Sequence, residues 1–135
     1  MNGTLQLRVC ANADKDALKA LFDSHGFAYE LPDPRGSDIL ASLVLEEGNA
    51  VRAAAILRLE VNAFLLLDGN WATPRERWEA LQVIHEAMRQ RAEDAGIQEA
   101  NCWLPEEIEK QFAPRIEELG WKRNLWNSYS RKVKG

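Results

Sequence analysis

The sequence predicts a single domain of the α/β (α+β) class, and three observations carry this prediction. Short apolar runs typical of strands alternate along the chain with apolar residues at helical spacing. The length of 135 residues fits one domain, residues 1–135, because two smaller domains would each lack a sizeable core. Hydrophobic residues make up 46% and charged residues 28%, which indicates a globular rather than a disordered chain.

The first elements are a strand, a helix and an irregular loop. Apolar and polar residues alternate over residues 5–9, which predicts a half-buried strand. Asn12 or Asp14 can cap the helix that follows, and Gly26 suits the left-handed residue after its end. Two prolines and a glycine make residues 29–38 irregular, and this loop is either a wall of a substrate site or a plain connection.

The middle of the chain predicts a hairpin and a central strand. Residues 41–45 and 50–60 are apolar runs joined by a short Gly/Asn turn, which is typical of a β-hairpin. Residues 61–63 are expected to form a second turn. Residues 64–67 (Phe-Leu-Leu-Leu) are too few for a helix, so they are expected to form a strand covered on both faces.

The clearest helix begins after Thr73. This threonine is a good N-cap, Pro74 suits the first helical position, and Glu76 lies three residues after the threonine, as in a capping box. Apolar residues then follow at steps of three and four, and Gly96 ends the helix.

The last elements are expected to be a strand, a helix and two closing strands. Residues 100–104 fit a strand, and Pro105 begins a helix that stops before Gly120. Pro114 is expected to kink this helix or divide it. Residues 121–123 and 126–133 fit the closing strands.

This order of elements resembles the acyl-CoA N-acyltransferase (GNAT) superfamily over nearly the whole chain. Residues 9–22 look like the family's opening strand and first helix, and residues 43–67 look like its antiparallel meander. Residues 92–97 resemble the end of its long helix. Residues 116–121 (Ile-Glu-Glu-Leu-Gly-Trp) are similar to its tyrosine-x-x-leucine-glycine-aromatic stretch. The resemblance implies a mixed, mostly antiparallel central sheet of about six to seven strands flanked by three to four helices.

The resemblance also implies acetyl-CoA as cofactor. In the family, backbone N–H groups of a loop of the type Gln/Arg-x-x-Gly-x-Gly/Ala, at the start of the long helix, hold the pyrophosphate. The matching residues 75–80 are Arg-Glu-Arg-Trp-Glu-Ala, in which the arginine and the final alanine match and a tryptophan replaces the first glycine. The implied cofactor-binding residues are Trp71, Ala72, Arg75, Arg77 and Trp78.

Three features of this stretch disfavour phosphate binding. Trp78 is bulky where the family's backbone meets phosphate, Glu76 and Glu79 add negative charge, and a capping box occupies N–H donors. Each effect amounts to about 1 kcal/mol. Arg75 and Arg77 either pair with the phosphates or lie solvated in the first turn.

The catalytic residues implied by the resemblance are one or both of two carboxylates. Asp68 and Glu60 flank the predicted central strand, and either could take a proton from a substrate ammonium. Residues 68–70 (Asp-Gly-Asn) also predict a turn in which Asp68 binds the local backbone. Ile116 stands where many family members have a tyrosine that protonates the departing thiolate, and isoleucine cannot donate a proton.

Composition narrows the partners. The net charge of −4 disfavours nucleic acid, and apolar runs too short to span a bilayer predict no membrane segment. The N-terminal residues lack a signal-peptide pattern, so a cytoplasmic location is expected. Cys10 and Cys102 are isolated and are expected to be buried thiols, and no metal site is expected.

Two functions therefore remain open. One is a GNAT-type N-acetyltransferase that moves an acetyl group from acetyl-CoA to the amine of a small molecule or peptide. The alternative is a GNAT-fold binding or assembly module that is catalytically inactive and does not bind coenzyme A in the usual way. Trp71 and Trp78 would line a ligand groove or partner surface, or plug the cofactor site. A homodimer is expected if the tryptophans of the closing strands are exposed.

Overall fold

The computed structural model of the chain describes residues 4–124 and 128–134. These residues belong to two compact units, with the boundary between Asn101 and Cys102. Across the described ranges the fold is mixed α+β, with three α-helices, a three-stranded antiparallel sheet and one pair of short parallel strands.

The first unit opens with strand β1 (Leu5–Val9), a short 3-10 turn (Asn12–Asp14) and helix α1 (Lys15–His25). Asp14 takes the N-cap position of α1, and its Oδ2 accepts a hydrogen bond of 2.7 Å from the N–H of Ala11. Gly26 ends α1 in the left-handed conformation, with φ of 65°. The predicted strand, helix and glycine stop are confirmed.

Strands β2 (Ile39–Glu47) and β3 (Ala50–Arg58) form the predicted hairpin. The sheet order is β1-β2-β3, and both pairings are antiparallel. Gly48 in the connecting turn has φ of 61°, a conformation that glycine adopts without steric cost.

The core lies between α1 and this sheet. It consists of Cys10, Leu18 of α1 and Val44 of β2, which are 2%, 4% and 1% exposed. Half-buried apolar residues pack around it: Leu31, Val51 and Ile56. Burial raises the pKa of the Cys10 thiol, because a thiolate is poorly solvated there. The expectation of a buried thiol is confirmed at this position, and Cys102 is half-buried.

The apolar side of β1 is not the side that faces the core. Leu7 and Val9 are 65% and 69% exposed, so the expectation that they are buried is wrong. Arg8 takes the covered side because its guanidinium makes two hydrogen bonds to Asp14, at 2.7 and 2.8 Å, and an ion pair with Glu46 at 3.1 Å. These bonds connect β1 to α1 and β2 and fix the orientation of the strand.

Two short strands, one before the long helix in the sequence and one after it, pair with each other. Strand β4 (Val61–Asn62) runs parallel to β5 (Ala100–Asn101), and helix α2 (Pro74–Asp94) connects them. The N–H of Ala63 extends the pairing by one bond of 2.7 Å to the carbonyl of Asn101. The predicted long helix is confirmed, and Gly96 follows it with φ of 77°.

The strand assignment at residues 61–67 is corrected by this pairing. Residues 61–63 were expected to form a turn and contain β4, whereas residues 64–67 were expected to form the central strand and have no strand partner in the described chain. A polar contact between Glu60 and Asn101 at 2.8 Å fixes the register near β4, upstream of the apolar run. Within residues 61–67, the apolar run at the C-terminal end predicted the strand, whereas the strand lies at the N-terminal end.

The second unit contains helix α3 (Glu106–Glu118). The predicted helix is confirmed, it runs without interruption through Pro114, and Gly120 follows it with φ of 98°. The strand predicted at residues 100–104 is shorter, since only β5 (Ala100–Asn101) is paired. Residues 121–124 and 128–134 form no strands, so the prediction of closing strands is wrong there. Residues 125–127 lie outside the described ranges. A central sheet of six to seven strands is thus not confirmed.

Candidate functional site

Residues 68–77 contain most of the residues implied as a cofactor site. We call this segment the turn before α2, and it includes the first four residues of that helix. Its first half is a hydrogen-bonded turn around Asp68. The N–H of Asn70 donates to Asp68 Oδ1 at 2.9 Å, and the N–H of Trp71 donates to the Asp68 carbonyl at 3.2 Å. The predicted turn is confirmed, and one carboxylate oxygen of Asp68 is committed to the local backbone.

The second half of the turn is the capped start of α2. Thr73 is extended, with φ of −88° and ψ of 160°, and its Oγ1 accepts a 3.2 Å hydrogen bond from the N–H of Glu76. The same hydroxyl donates to Glu76 Oε1 at 2.9 Å. The N-cap is confirmed. In this capping arrangement the Glu76 carboxylate binds the threonine hydroxyl rather than a backbone N–H.

These bonds leave few amide donors for an anion. Pro74 has no N–H, the N–H of Glu76 binds Thr73, and the N–H of Arg77 donates to the Thr73 carbonyl at 2.9 Å. Within the first turn of α2, as described, only the N–H of Arg75 has no hydrogen bond. A pyrophosphate cradle needs several converging donors, and the first turn of α2 does not supply them.

Arg77 closes the turn from the helix side. Its Nη1 donates to the carbonyls of Trp71 and Ala72, both at 2.8 Å. Ala72 has φ of 56°, a left-handed conformation that costs a residue with a Cβ about 1 kcal/mol. The two bonds from Arg77 help to offset this strain, because they satisfy the carbonyls on both sides of the strained residue.

The remaining implied cofactor residues lie near solvent. The Arg75 side chain is 89% exposed, and its Nε lies 3.3 Å from Glu79 Oε1, one helical turn away. Trp71 is 49% exposed, so the expectation of a buried plug is wrong for this residue. Trp78 is half-buried. Of the two alternatives for Arg75, pairing with phosphates or lying solvated in the first turn, the structure has the solvated one.

Glu60, the other candidate base, belongs to a separate polar cluster. Its Oε1 accepts from Arg58 Nη2 at 2.5 Å, and its Oε2 accepts from Asn101 Nδ2 at 2.8 Å. Arg58 Nη2 also donates to Glu99 Oε2 at 2.8 Å. The hydrogen bond to Glu60, followed by the charges of both glutamates, raises the pKa of Arg58. A proton acceptor at Glu60 would therefore have to give up an existing bond.

The structure does not connect the two candidate bases. Among the described residues, no hydrogen bond or ion pair links the Glu60 cluster to the turn at residues 68–77. Sequence reasoning missed Arg58 and Asn101 as partners of Glu60, and Glu99 as the second partner of Arg58. A signal was present, because Arg58 and Glu60 are two residues apart, as are Glu99 and Asn101, and this period places each pair on one side of an extended segment.

Two other kinds of site are absent from the described part of the chain. It contains no group of three or more histidine, cysteine, aspartate or glutamate side chains that could hold a metal ion. Nor is any helix in those ranges both long and apolar enough to cross a bilayer.

Comparison with known proteins finds similarity to a solved structure only at low sequence identity. No protein-family model matches the chain, and no curated protein matches it. Among solved structures, the chain is similar to glucosamine-6-phosphate N-acetyltransferase from Arabidopsis thaliana, at 13% sequence identity and a TM-score of 0.32. The alignment covers 97% of this chain and 99% of that one.

Proposed function

We propose that the chain is a GNAT-like binding or assembly module that is catalytically inactive and does not hold coenzyme A at the turn before α2. The observation that supports this proposal is the internal bonding of residues 68–77. Two donors that a phosphate ligand would need are occupied from within the chain: the Glu76 N–H binds Thr73, and the Arg77 guanidinium binds the carbonyls of Trp71 and Ala72.

The energetic argument rests on competition. A pyrophosphate at this turn would displace the Thr73 cap, which contributes about 1 kcal/mol. It would also draw Arg77 away from two carbonyls, at a cost of about 2 kcal/mol after allowance for solvent. Together these effects weaken binding by roughly 100-fold. Glu76 and Glu79 add repulsion in the same turn.

An N-acetyltransferase acting on the amine of a small molecule or peptide is the second candidate. The arrangement of β4, α2 and β5 favours it, because parallel strands joined by a helix are where open α/β sheets commonly bind ligands. The pairing of these strands ends at Ala63, and the following residues 64–67 have no strand partner among those described. Glu60 beside β4 is the carboxylate available to this candidate.

Calorimetric titration with acetyl-CoA and with coenzyme A separates the two candidates. The proposal expects no binding of either ligand at millimolar concentration. Micromolar binding would overturn it. If binding is micromolar, the second candidate predicts that Arg77→Ala changes the affinity for coenzyme A more than Arg75→Ala does. Both variants remove one positive charge, but only Arg77 binds the carbonyls of Trp71 and Ala72.

Acetyl transfer provides an independent measurement for the second candidate. A panel of primary amines and lysine peptides, assayed for thiol release from acetyl-CoA, should give no turnover above background if the module is inactive. Turnover that Glu60→Gln abolishes while the fold is unchanged by circular dichroism would establish the enzyme instead.

A further inference from the structure

One side of the sheet formed by β1, β2 and β3 is apolar on all three strands. In an antiparallel sheet, residues that pair directly project from the same side. Two adjacent rows of paired residues define this side: Leu7, Leu45 and Ala53 in one, and Val9, Leu43 and Ala55 in the next. We call these six residues the open sheet face.

The open sheet face points away from the core. Val44, which lies between two residues of this face on β2, projects from the other side of the sheet and is 1% exposed in the core. On β1, Leu7 and Val9 are 65% and 69% exposed, and both alanines of β3 are exposed as well. A sheet side made of apolar residues normally packs against a second layer. The exposure of this side therefore points to an occupant.

The size of this side sets the strength of contact to expect. β1 has five residues, and β2 and β3 have nine each. With strands about 4.8 Å apart and about 3.3 Å per residue, the three strands cover about 350 Å² in projection. Apolar patches of a few hundred Å² are uncommon on monomers and often mark interaction sites. Since a standard interface buries about 800 Å² per partner, contact through this side alone is expected to be reversible.

The side chains of the open sheet face decrease in size from one edge of the sheet to the other. β1 contributes a leucine and a valine, whereas β3 contributes two alanines. A two-fold axis nearly parallel to β2 would place β3 of a second copy over β1. Because the axis preserves the height of each row, Leu7 would meet Ala53 of the second copy, and Val9 would meet Ala55. Large residues then oppose small ones on both sides of the axis, so the face is complementary to itself.

We propose that the open sheet face is the interface of a reversible homodimer in which two copies pack sheet against sheet. The face contains no charged residue, and Glu47 at its border pairs with Arg52 at 3.2 Å. Two copies with a net charge of −4 repel each other at low ionic strength, so added salt should maintain or strengthen the dimer. The interface is separate from the turn before α2, and the inference holds whether or not coenzyme A binds.

Sedimentation velocity of the full chain, over a range of concentrations and at two ionic strengths, tests the proposal. It should show a monomer–dimer equilibrium below millimolar chain concentration, unchanged or strengthened by salt. A chain that stays monomeric at millimolar concentration would overturn the proposal, whether its own helix or another protein covers the sheet. A dimer that dissociates on addition of salt would overturn it too, because its interface would be held by charges.

A matched pair of variants locates the interface. Leu7→Thr keeps a residue suited to a strand but removes apolar surface, and two-fold symmetry counts the loss twice. The dimer should weaken at least about tenfold. Val83→Thr makes a comparable change on α2, where the side chain is 73% exposed, and should dimerise as the unmodified protein does. Equal effects of the two variants, with the fold intact by circular dichroism, would place the interface elsewhere.

A second pair of variants tests the fit between large and small residues. Ala55→Leu adds apolar surface but fills the space assigned to Val9 of the second copy, so it should weaken the dimer at least about tenfold. Adding Val9→Ala to this variant should restore most of the association. Stronger association of Ala55→Leu would contradict the proposal, because the face would then be adhesive without the proposed fit.

Discussion

Two proline-containing loops of the first unit are held in place in opposite ways. The loop before β2, residues 33–38, is fixed by distant partners: Ser42 Oγ donates to the Pro34 carbonyl at 3.1 Å, and the N–H of Leu59 donates to the Asp38 carbonyl at 2.7 Å. The turn before α2, residues 68–77, is closed by bonds that span six residues or fewer. The first loop therefore depends on the surrounding fold, whereas the second can form from its own sequence.

The difference extends to burial. Asp38 is 3% exposed, and its Oδ1 accepts a 3.4 Å hydrogen bond from Gln98 while its Oδ2 is buried without a partner among the described residues. Such an atom is costly, and only a loop held by other interactions can retain it. The turn before α2 contains no comparable buried group in its described residues, because its polar atoms bind each other or face solvent.

The largest expected effect comes from Asp14, at the start of α1, which binds Arg8 of β1. The two hydrogen bonds from Arg8, then the bond from the Ala11 N–H, hold the pKa of Asp14 well below its ordinary value. A carboxyl whose pKa is lowered by folding stabilises the protein above its unfolded-state pKa of about 4, and that contribution is lost as the pH falls below it. Asp14→Asn should lower the free energy of unfolding at pH 7 and flatten its decline towards pH 3.

Denaturant unfolding at pH 7 and pH 3 measures this effect. Asp16→Asn removes the same charge from the first turn of α1 but none of these hydrogen bonds, so it should keep the pH dependence of the unmodified protein. A pH dependence in Asp14→Asn identical to that of the unmodified protein would contradict the role assigned to this carboxylate.

The next effect is expected at Ser42 of β2, which binds the loop at residues 33–38. Ser42→Ala removes the donor to the buried Pro34 carbonyl and should lower the free energy of unfolding by about 1.5 kcal/mol. Ser24→Ala is the control, because its hydroxyl bonds the exposed end of α1. Equal stability losses in the two variants would mean that the loop is not held from a distance.

A smaller and more local effect is expected at Thr73. Thr73→Ala removes the cap of α2 and should destabilise the helix by about 1 kcal/mol. Amide hydrogen exchange should accelerate in the first turn of α2 and remain unchanged in β2 and β3. Faster exchange throughout the hairpin would show that the turn is coupled to the rest of the unit rather than self-contained.

The smallest effect is expected at Ala72. Ala72→Gly relieves the left-handed strain but increases the freedom of the unfolded chain, so the expected gain is only about 0.5 kcal/mol. Thermal unfolding should show a slightly raised midpoint. Ala72→Val is the opposing variant, and a midpoint for valine as high as that for glycine would contradict the strained conformation.

The sequence predicted the features that depend on nearby residues and missed those that depend on other parts of the chain. The Thr73 cap, the Asp68 turn, the Gly26 stop and the β2–β3 hairpin each depend on neighbouring residues, and each is confirmed. The covered face of β1 depends on Asp14 and Glu46, which hydrophobic alternation cannot reveal. The pairing of β4 and β5 depends on residues about forty positions apart, and so the apolar run 64–67 was assigned as a strand in error.

In the candidate site, too, the local bonds were predictable from the sequence and the longer-range bonds were not. Counting donors in the sequence already indicated that the helix start is a poor phosphate cradle, since Pro74 and the cap follow from local chemistry. The return of Arg77 to the carbonyls of Trp71 and Ala72 was not predictable. It depends on the left-handed conformation of an alanine, which a sequence pattern does not disclose.

The central claim is that the start of α2 does not hold coenzyme A, because the amides of Glu76 and Arg77 are committed within the chain. Proton–nitrogen correlation spectra, recorded during titration with coenzyme A, follow the amides of Arg75, Glu76 and Arg77 directly. The account predicts no saturable shift of these three signals up to millimolar ligand, and slow hydrogen exchange of the Glu76 amide throughout. Saturable shifts of all three at micromolar coenzyme A would contradict it.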